Sequence, residues 1–282
     1  MRILVTGAGG LVGGLLADRC ESAGLAVVRS GRRERGGEWL TWDMSTEPLP
    51  LKGRIDCVMH TAPLWVLTDH VEFFASRGVT RLICFSSTSV LTKRESASRA
   101  ERALAASLDR AESGIHEISA RHGVATTVLR PTMIYGYGRD ANVSAIARYI
   151  RRYGFFAVAG GGEGKRQPVH ADDLAGAAMA VLGESRTIGR TYNLGGGETL
   201  AYRSMVERIF HALDKPVRIV KVPAGLYRTI LAVVGVVRAD VTASMADRMS
   251  RDLVFDSTDA RTDFGFAPQG FLMYPDRDLP AA

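Results

Sequence analysis

Cysteine, long apolar runs and, in the first half, tyrosine are scarce in this chain of 282 residues. The three cysteines, Cys20, Cys57 and Cys84, are odd in number and widely spaced, and the last two fall inside apolar runs. That pattern argues against a disulfide framework or a metal site and for buried, reduced thiols in a cytoplasmic protein. Glycines interrupt the opening "MRILVTGAGG" after five residues, so no secretory leader is expected. The most apolar later stretch, Pro223 to Arg238, contains Arg228 and is too short to span a bilayer; an amphipathic helix over a core is expected there. Aromatic residues make up only 7%, with no aromatic cluster or zinc-finger spacing, which argues against nucleic acid as partner. The net charge of +6 is dispersed through both halves and suits an anionic small molecule such as a nucleotide. No tyrosine precedes Tyr135, and none of the eight has a lysine four residues downstream.

What is present is alternation. The runs "RILVTG", "LAVVRSG", "IDCVMHTA", "TRLICFSS" and "ATTVLRP" read as strands, with helical patterns between them. Ala97 to His122 reads as a helix stopped by Gly123. This order implies an α/β protein, a Rossmann-type doubly wound parallel sheet, with a smaller carboxyl-terminal substrate lobe. The expected division interleaves: residues 1–136 plus about 167–196 form the dinucleotide-binding domain, and about 137–166 plus 197–282 the substrate-facing lobe.

The glycines of "VTGAGGLVGG", Gly7, Gly10 and Gly13, follow the first strand and open the first helix. Bare backbone there can approach a pyrophosphate, and the helix N-terminus supplies N–H groups and positive dipole. After the second strand, where an NAD site offers a carboxylate to the ribose, the chain has Ser30 and Gly31 followed by Arg32 and Arg33. Guanidinium groups can grip a 2′-phosphate, so NADP is expected, with NAD still compatible.

Together with "TGAGGLVG", the Trp42–Asp43 pair, "HTA", "SST", "LRPTMIYG", "RQPVHADDLA", "YNLGGGE" and "DLVFDSTDARTDFGF", these residues resemble the extended short-chain dehydrogenase/reductase superfamily, in particular its sugar-nucleotide epimerases and dehydratases. The resemblance implies cofactor contacts at Leu11, Val12, Asp43, Met44, Thr61, Ala62, Ser86, Ser87, Arg130 and Pro131. It further implies diphosphate-binding arginines, Arg166 with Arg248 or Arg251. Those arginines read equally as partners of nearby carboxylates: Asp172 or Asp173 for Arg166, Asp252 for Arg251.

In that superfamily a Tyr-x-x-x-Lys pair on the helix after the fifth strand exchanges the substrate proton. Counting back from Gly123 puts it between Leu104 and Asp109, where neither residue occurs. The chain is therefore identified as an atypical member, with Thr88, Lys93 and Tyr135 as candidate replacements. Thr88 reads equally as a cap at a strand end, and a lone lysine such as Lys93 is more often a solvated loop residue. Two functions stay open: an oxidoreductase or epimerase acting on a nucleoside-diphosphate sugar or similar anionic molecule, and a non-catalytic dinucleotide-binding sensor or assembly subunit. A homodimer is compatible with either.

Overall fold

A computed structural model describes residues 1–33, 39–46, 53–237 and 244–281. The first half alternates: β1 (Arg2–Thr6), α1 (Leu11–Ser22), β2 (Ala26–Gly31), β3 (Trp39–Thr41), β4 (Cys57–His60), α2 (Val71–Ser76), β5 (Arg81–Phe85), α3 (Ser89–Thr92), α4 (Arg99–His122) and β6 (Ala125–Pro131). After it come β7 (Ile134–Tyr135), α5 (Val143–Tyr153), β8 (Phe156–Ala159), β9 (Lys165–Arg166), β10 (Val169–His170), α6 (Ala171–Leu182) and β11 (Arg190–Leu194). The chain continues through β12 (Leu200–Ala201), α7 (Tyr202–Ala212), β13 (Ile219–Val222), α8 (Ala224–Val237), α9 (Ser244–Ser250), α10 (Thr258–Phe264) and α11 (Pro275–Asp278).

Seven strands form one sheet in the order β11-β6-β5-β4-β1-β2-β3, every neighbouring pair parallel. The alternation of side chains explains why both faces are covered. Ile3 and Val5 of β1, Cys57 and Met59 of β4, and Ile83 and Phe85 of β5 turn to the face covered by α1 and α6. Leu4, Val58, Leu82 and Cys84 turn to the opposite face, against Val71 and Phe74 of α2 and Leu108, Ala111 and Ile115 of α4. Strands buried on both sides must be apolar at nearly every position, as these are.

The strand order reverses between β1 and β4, and a crevice opens there at the carboxyl ends of the strands. Helix α4 starts directly after a serine cap: Ser98 Oγ accepts the Glu101 amide, and Gly123 follows the last helical residue. A third cluster, built on Val143, Ile146 and Ile150 of α5 and Met205, Val206 and Ile209 of α7, packs apart from the main sheet with Phe271 and Leu279. Its strand pairs are short: β7 with β10, β9 with β12, and β8 with β13.

Candidate functional site

The crevice holds two adjoining cavities. The larger, about 870 Å³, lies along the ends of β1, β2 and β4; the smaller, about 330 Å³, lies between the end of β5, α4 and the start of α1. Thr61, Ala62, Pro63 and Trp65 line both, so the two are joined through one wall. An elongated ligand of two nucleotide halves fits such a double chamber.

The glycine turn is built by close approach. Gly7 sits at φ +76°, and a Cβ there would lie 2.7 Å from Ala62 N and 2.8 Å from Thr61 Oγ1. A Cβ on Gly13, in the first turn of α1, would lie 2.4 Å from both Gly7 O and Thr61 Oγ1. Thr61 Oγ1 is itself held in place, donating to Thr6 O at 2.8 Å. The turn, α1 and the end of β4 thus interlock with no room for a side chain.

Gly7, Gly10, Ser30, Arg32, Arg33, Asp43, Met44, Thr61 and Ala62 all line the larger cavity. Arg32 and Arg33 are exposed at its rim beyond β2. Val12, Ser86, Ser87 and Pro131 line the smaller one. Leu11 and Gly13 form the start of α1. Arg130 lines neither cavity: its guanidinium grips Glu112 of α4, with Nε 2.9 Å from Oε1 and 3.0 Å from Oε2. All three tryptophans, Trp39, Trp42 and Trp65, line the larger cavity, a concentration that residue-by-residue reading of the sequence missed beyond Trp42. Arg139 was missed too; its Nη2 is 3.5 Å from Gly9 O, over the glycine turn.

At the smaller cavity the α4 wall is Leu104 and Leu108, one helical turn apart on one face. Both fall within the Leu104–Asp109 stretch where the resemblance leads one to expect the phenol and ammonium. No tyrosine or lysine lines this cavity among the described residues. The three expected replacements are engaged elsewhere. Thr88 Oγ1 is buried and donates to Pro131 O at 3.2 Å. Lys93 Nζ stands 3.9 Å from Glu101 Oε1, and burial lowers its pKa. Tyr135 is fully buried; its hydroxyl donates to Gly270 O at 3.2 Å and accepts the Leu272 amide at 3.1 Å, and burial drives its pKa well up. A phenol so held cannot release a proton near neutrality. Of the hydroxyls that do line the cavity, those of Thr61, Ser86, Ser87 and Ser89, that of Ser86 donates to buried Glu112.

The arginines expected to clamp a diphosphate are brought together, but as a closed cluster. Arg166 is 3% exposed, and its Nη1 donates to Lys165 O at 2.6 Å and Arg251 O at 2.8 Å while its Nη2 donates to Arg248 O. It also lies over the Tyr202 ring at 5.5 Å, and burial lowers its pKa to about 10. The Arg248 side chain pairs with Glu101, whereas the Arg251 side chain is exposed. Carbonyls from the 248–251 segment occupy the Arg166 fork in place of a ligand's oxygens. Neither carboxylate offered to Arg166 by the sequence reading, Asp172 or Asp173, is its partner: Asp172 meets Tyr137, Arg19 and Arg277, and Asp173 accepts the Gln269 amide.

His60, at the end of β4, has a pH consequence. Its Nδ1 accepts from Thr6 Oγ1 at 2.8 Å and its Nε2 donates to Pro63 O at 3.2 Å, so the ring is neutral, and burial pushes its pKa down to about 4. As pH falls below the ordinary histidine value of about 6.5, the unfolded chain takes up a proton that the folded ring refuses until about pH 4. Stability from this group is therefore full above pH 6.5 and is lost between 6.5 and 4, amounting to ~3 kcal/mol. Urea unfolding at stepped pH should show this loss, and His60→Gln should flatten that part of the curve.

The parallel order with its crossover at β1 and β4, the glycine turn and the double cleft define a Rossmann-type dinucleotide-binding fold. Residues 67–195 match the NAD dependent epimerase/dehydratase family. The chain is similar to protein y4nG of Sinorhizobium fredii, 30% identical over 157 residues, covering 54% of this chain and 38% of that protein. It is also similar to the mitochondrial NADH dehydrogenase [ubiquinone] 1 alpha subcomplex subunit 9 of Arabidopsis thaliana, 30% identical over 107 residues, 38% of this chain and 26% of that one. The matched stretches thus span well under half of these two relatives. Among solved structures, MoeE5 in complex with UDP-glucuronic acid and NAD superposes with a TM-score of 0.75 at 19% identity, over 96% of this chain and 95% of that one. The UDP-glucuronic acid 4-epimerase of Bacillus cereus in complex with UDP-glucuronic acid and NAD gives 0.72 at 16%, over 98% and 96%. At these identities the likeness is one of fold.

No helix among the described residues is long and apolar enough to cross a membrane. No group of three or more His, Cys, Asp or Glu among them is placed to hold a metal ion.

Proposed function

We propose that this protein is an NAD(P)-dependent oxidoreductase of the epimerase/dehydratase type, preferring NADP(H) and acting on a nucleoside-diphosphate sugar or a similar anionic small molecule in the cytoplasm. The observation that carries the reading is the double chamber: a glycine turn and two arginines at one end, Ser86 and Ser87 at the other, joined through Thr61 to Trp65. The adenosine half of a dinucleotide belongs in the larger chamber and the nicotinamide in the smaller. The sugar-nucleotide class is supported by the complexes named above, whose folds this chain shares along nearly its whole length. The bound dinucleotide supplies hydride transfer; Ser86, backed by Glu112, is the group of this chain placed to pass a proton at that end.

The leucine wall supports a second reading, in which the dinucleotide is held without turnover as part of a sensor or assembly. Exchange of label between NADPH and a panel of UDP-, GDP- and dTDP-sugars separates the two. Exchange with any of them supports the enzyme; saturable dinucleotide binding with no exchange across the panel rejects it in favour of the second reading.

The cofactor preference rests on Arg32 and Arg33. NADPH should bind more tightly than NADH, and Arg32→Asp should reverse the order. A charge-assisted contact to the 2′-phosphate contributes about 1.5–3 kcal/mol, so roughly tenfold or more in Kd is expected. Equal dissociation constants for the two cofactors by calorimetry would contradict the assignment.

A further inference from the structure

We propose that the face formed by the end of α5, the β8–β13 strand pair and the start of α8 docks on an anionic lipid surface. The inference is independent of the reaction at the cleft.

Six large apolar residues are exposed here: Tyr149, Tyr153, Phe155, Val217, Val220 and Leu226, with Tyr153 53% and Leu226 56% accessible. The three aromatic rings touch, and backbone pairing brings the aliphatic residues to the same part of the fold. Tyr149 meets Tyr153 at 4.6 Å and Phe155 at 5.9 Å between ring centroids. The Phe156 amide donates to Arg218 O, which brings the 217–218 segment beside Phe155. β13 lies parallel to β8 with Val220 opposite Ala157, and Tyr227 of α8 donates to Ala157 O at 3.2 Å, which sets Leu226 at the same edge. A soluble protein gains nothing by leaving such a cluster in water, and contiguous exposed apolar patches mark contact surfaces.

Charge identifies the partner. Residues 148–160 contain Arg148, Arg151 and Arg152 and no carboxylate; residues 215–228 contain Lys215, Arg218, Lys221 and Arg228 and again none. Some of these cations have partners: Arg228 pairs with Asp247, Arg151 donates to the carbonyls of Pro280 and Ala281, and Arg148 to Gly138 O. Arg152 lies over the Tyr153 ring at 5.4 Å, and exposed Arg218, whose carbonyl accepts the Phe156 amide, stands beside Phe155; Lys215 and Lys221 add positive charge on the same segment. Tyrosine and phenylalanine with a ring of lysine and arginine suit the headgroup region of a membrane, where rings enter the acyl boundary and cations meet anionic lipid. A nucleic acid would satisfy the charge but not the exposed aliphatic residues, and an acidic protein face is an outcome that flotation with vesicles separates.

Flotation of the full chain with vesicles of phosphatidylcholine, with and without phosphatidylglycerol, tests this. Binding is expected only where the anionic lipid is present, weakening as salt is raised because the cations act over a Debye length. Arg152→Glu with Arg218→Glu should lower the partition coefficient on the order of tenfold or more. Tyr153→Ser with Phe155→Ser should also lower it, and at high salt as well, which pure charge attraction would not explain. All four side chains are exposed, so unchanged thermal unfolding and dinucleotide affinity check that the variants keep their fold. Absence of binding to anionic vesicles overturns the proposal, as does binding that the variants leave intact. Binding to duplex DNA or to an acidic polypeptide without vesicle binding overturns it as well.

Discussion

Gly13→Ala is expected to abolish dinucleotide binding, with affinity falling by at least about 10²-fold. The added methyl would lie 2.4 Å from Gly7 O and from Thr61 Oγ1, where the nearest atoms belong to backbone and to a hydroxyl already bonded to Thr6 O. Neither can retreat without opening the glycine turn or prising α1 from the end of β4. Overpacking of this kind costs about 1–3 kcal/mol or more, and here the strain falls on the amides that would face a pyrophosphate. Its neighbour in the same helix supplies the control. A Cβ on Gly14 would lie 3.4 Å from Ala8 O, an ordinary contact, so Gly14→Ala should leave affinity unchanged and gain up to ~1 kcal/mol of stability from helix propensity. Calorimetric titration with NADPH and thermal unfolding of both variants measure the contrast. Unchanged affinity in Gly13→Ala would mean that the turn is not the binding surface.

The glycine turn was legible because its spacing is local: three residues apart, directly after a strand, at the start of a helix. The parallel sheet was legible for the same reason, since apolar runs between helical patterns admit few other arrangements. The helix expected over Ala97 to His122 is observed over Arg99–His122, the difference being the Ser98 cap. Counting back from Gly123 therefore placed the superfamily's pair between Leu104 and Asp109, and two of those six positions, Leu104 and Leu108, do face the smaller cavity.

What local pattern cannot carry is the identity of a polar group's partner when that partner lies far along the chain. Arg166 sits in a motif that suggests a phosphate clamp, yet its fork is filled by carbonyls of Arg248 and Arg251, more than eighty residues away. Tyr135 follows the sixth strand closely enough to suggest the cleft, but the carbonyl of Gly270 and the amide of Leu272 take its hydroxyl into a packed interior. Thr88 shows the same limit over a shorter span, since only the fold brings Pro131 O beside it. The Glu112–Arg130 pair and its bond to Ser86 are likewise invisible until α4, β5 and β6 lie side by side. Helix spacing was the one available signal, because Glu112 lies one turn beyond Leu108 and two beyond Leu104.

That spacing leads to the largest gain expected of any change in this chain. In the Leu104→Tyr/Leu108→Lys double variant, hydride exchange between NADPH and a sugar nucleotide should rise by about 10²-fold or more, the usual size of a general acid–base contribution. Both positions line the cavity that also contains Ser86, and their i, i+4 spacing puts the two new side chains on one helix face. A phenol alone, near its ordinary pKa of about 10, is a poor base at neutral pH; a neighbouring ammonium stabilises the phenolate and lowers that value. Leu104→Tyr by itself should therefore recover only a small part of the gain. A penalty accompanies it, since Leu108 is 5% exposed within the core cluster beside Ala111 and Ile115, and an ammonium there is desolvated. The melting temperature of the double variant should fall by several degrees, while NADPH affinity, set by the glycine turn and the arginine rim, should hold. An unchanged exchange rate in a folded, NADPH-binding double variant would show that the leucine wall is not what limits proton transfer. A gain confined to the variant, with no exchange in the parent chain, would favour the reading in which the native protein holds its dinucleotide without turnover.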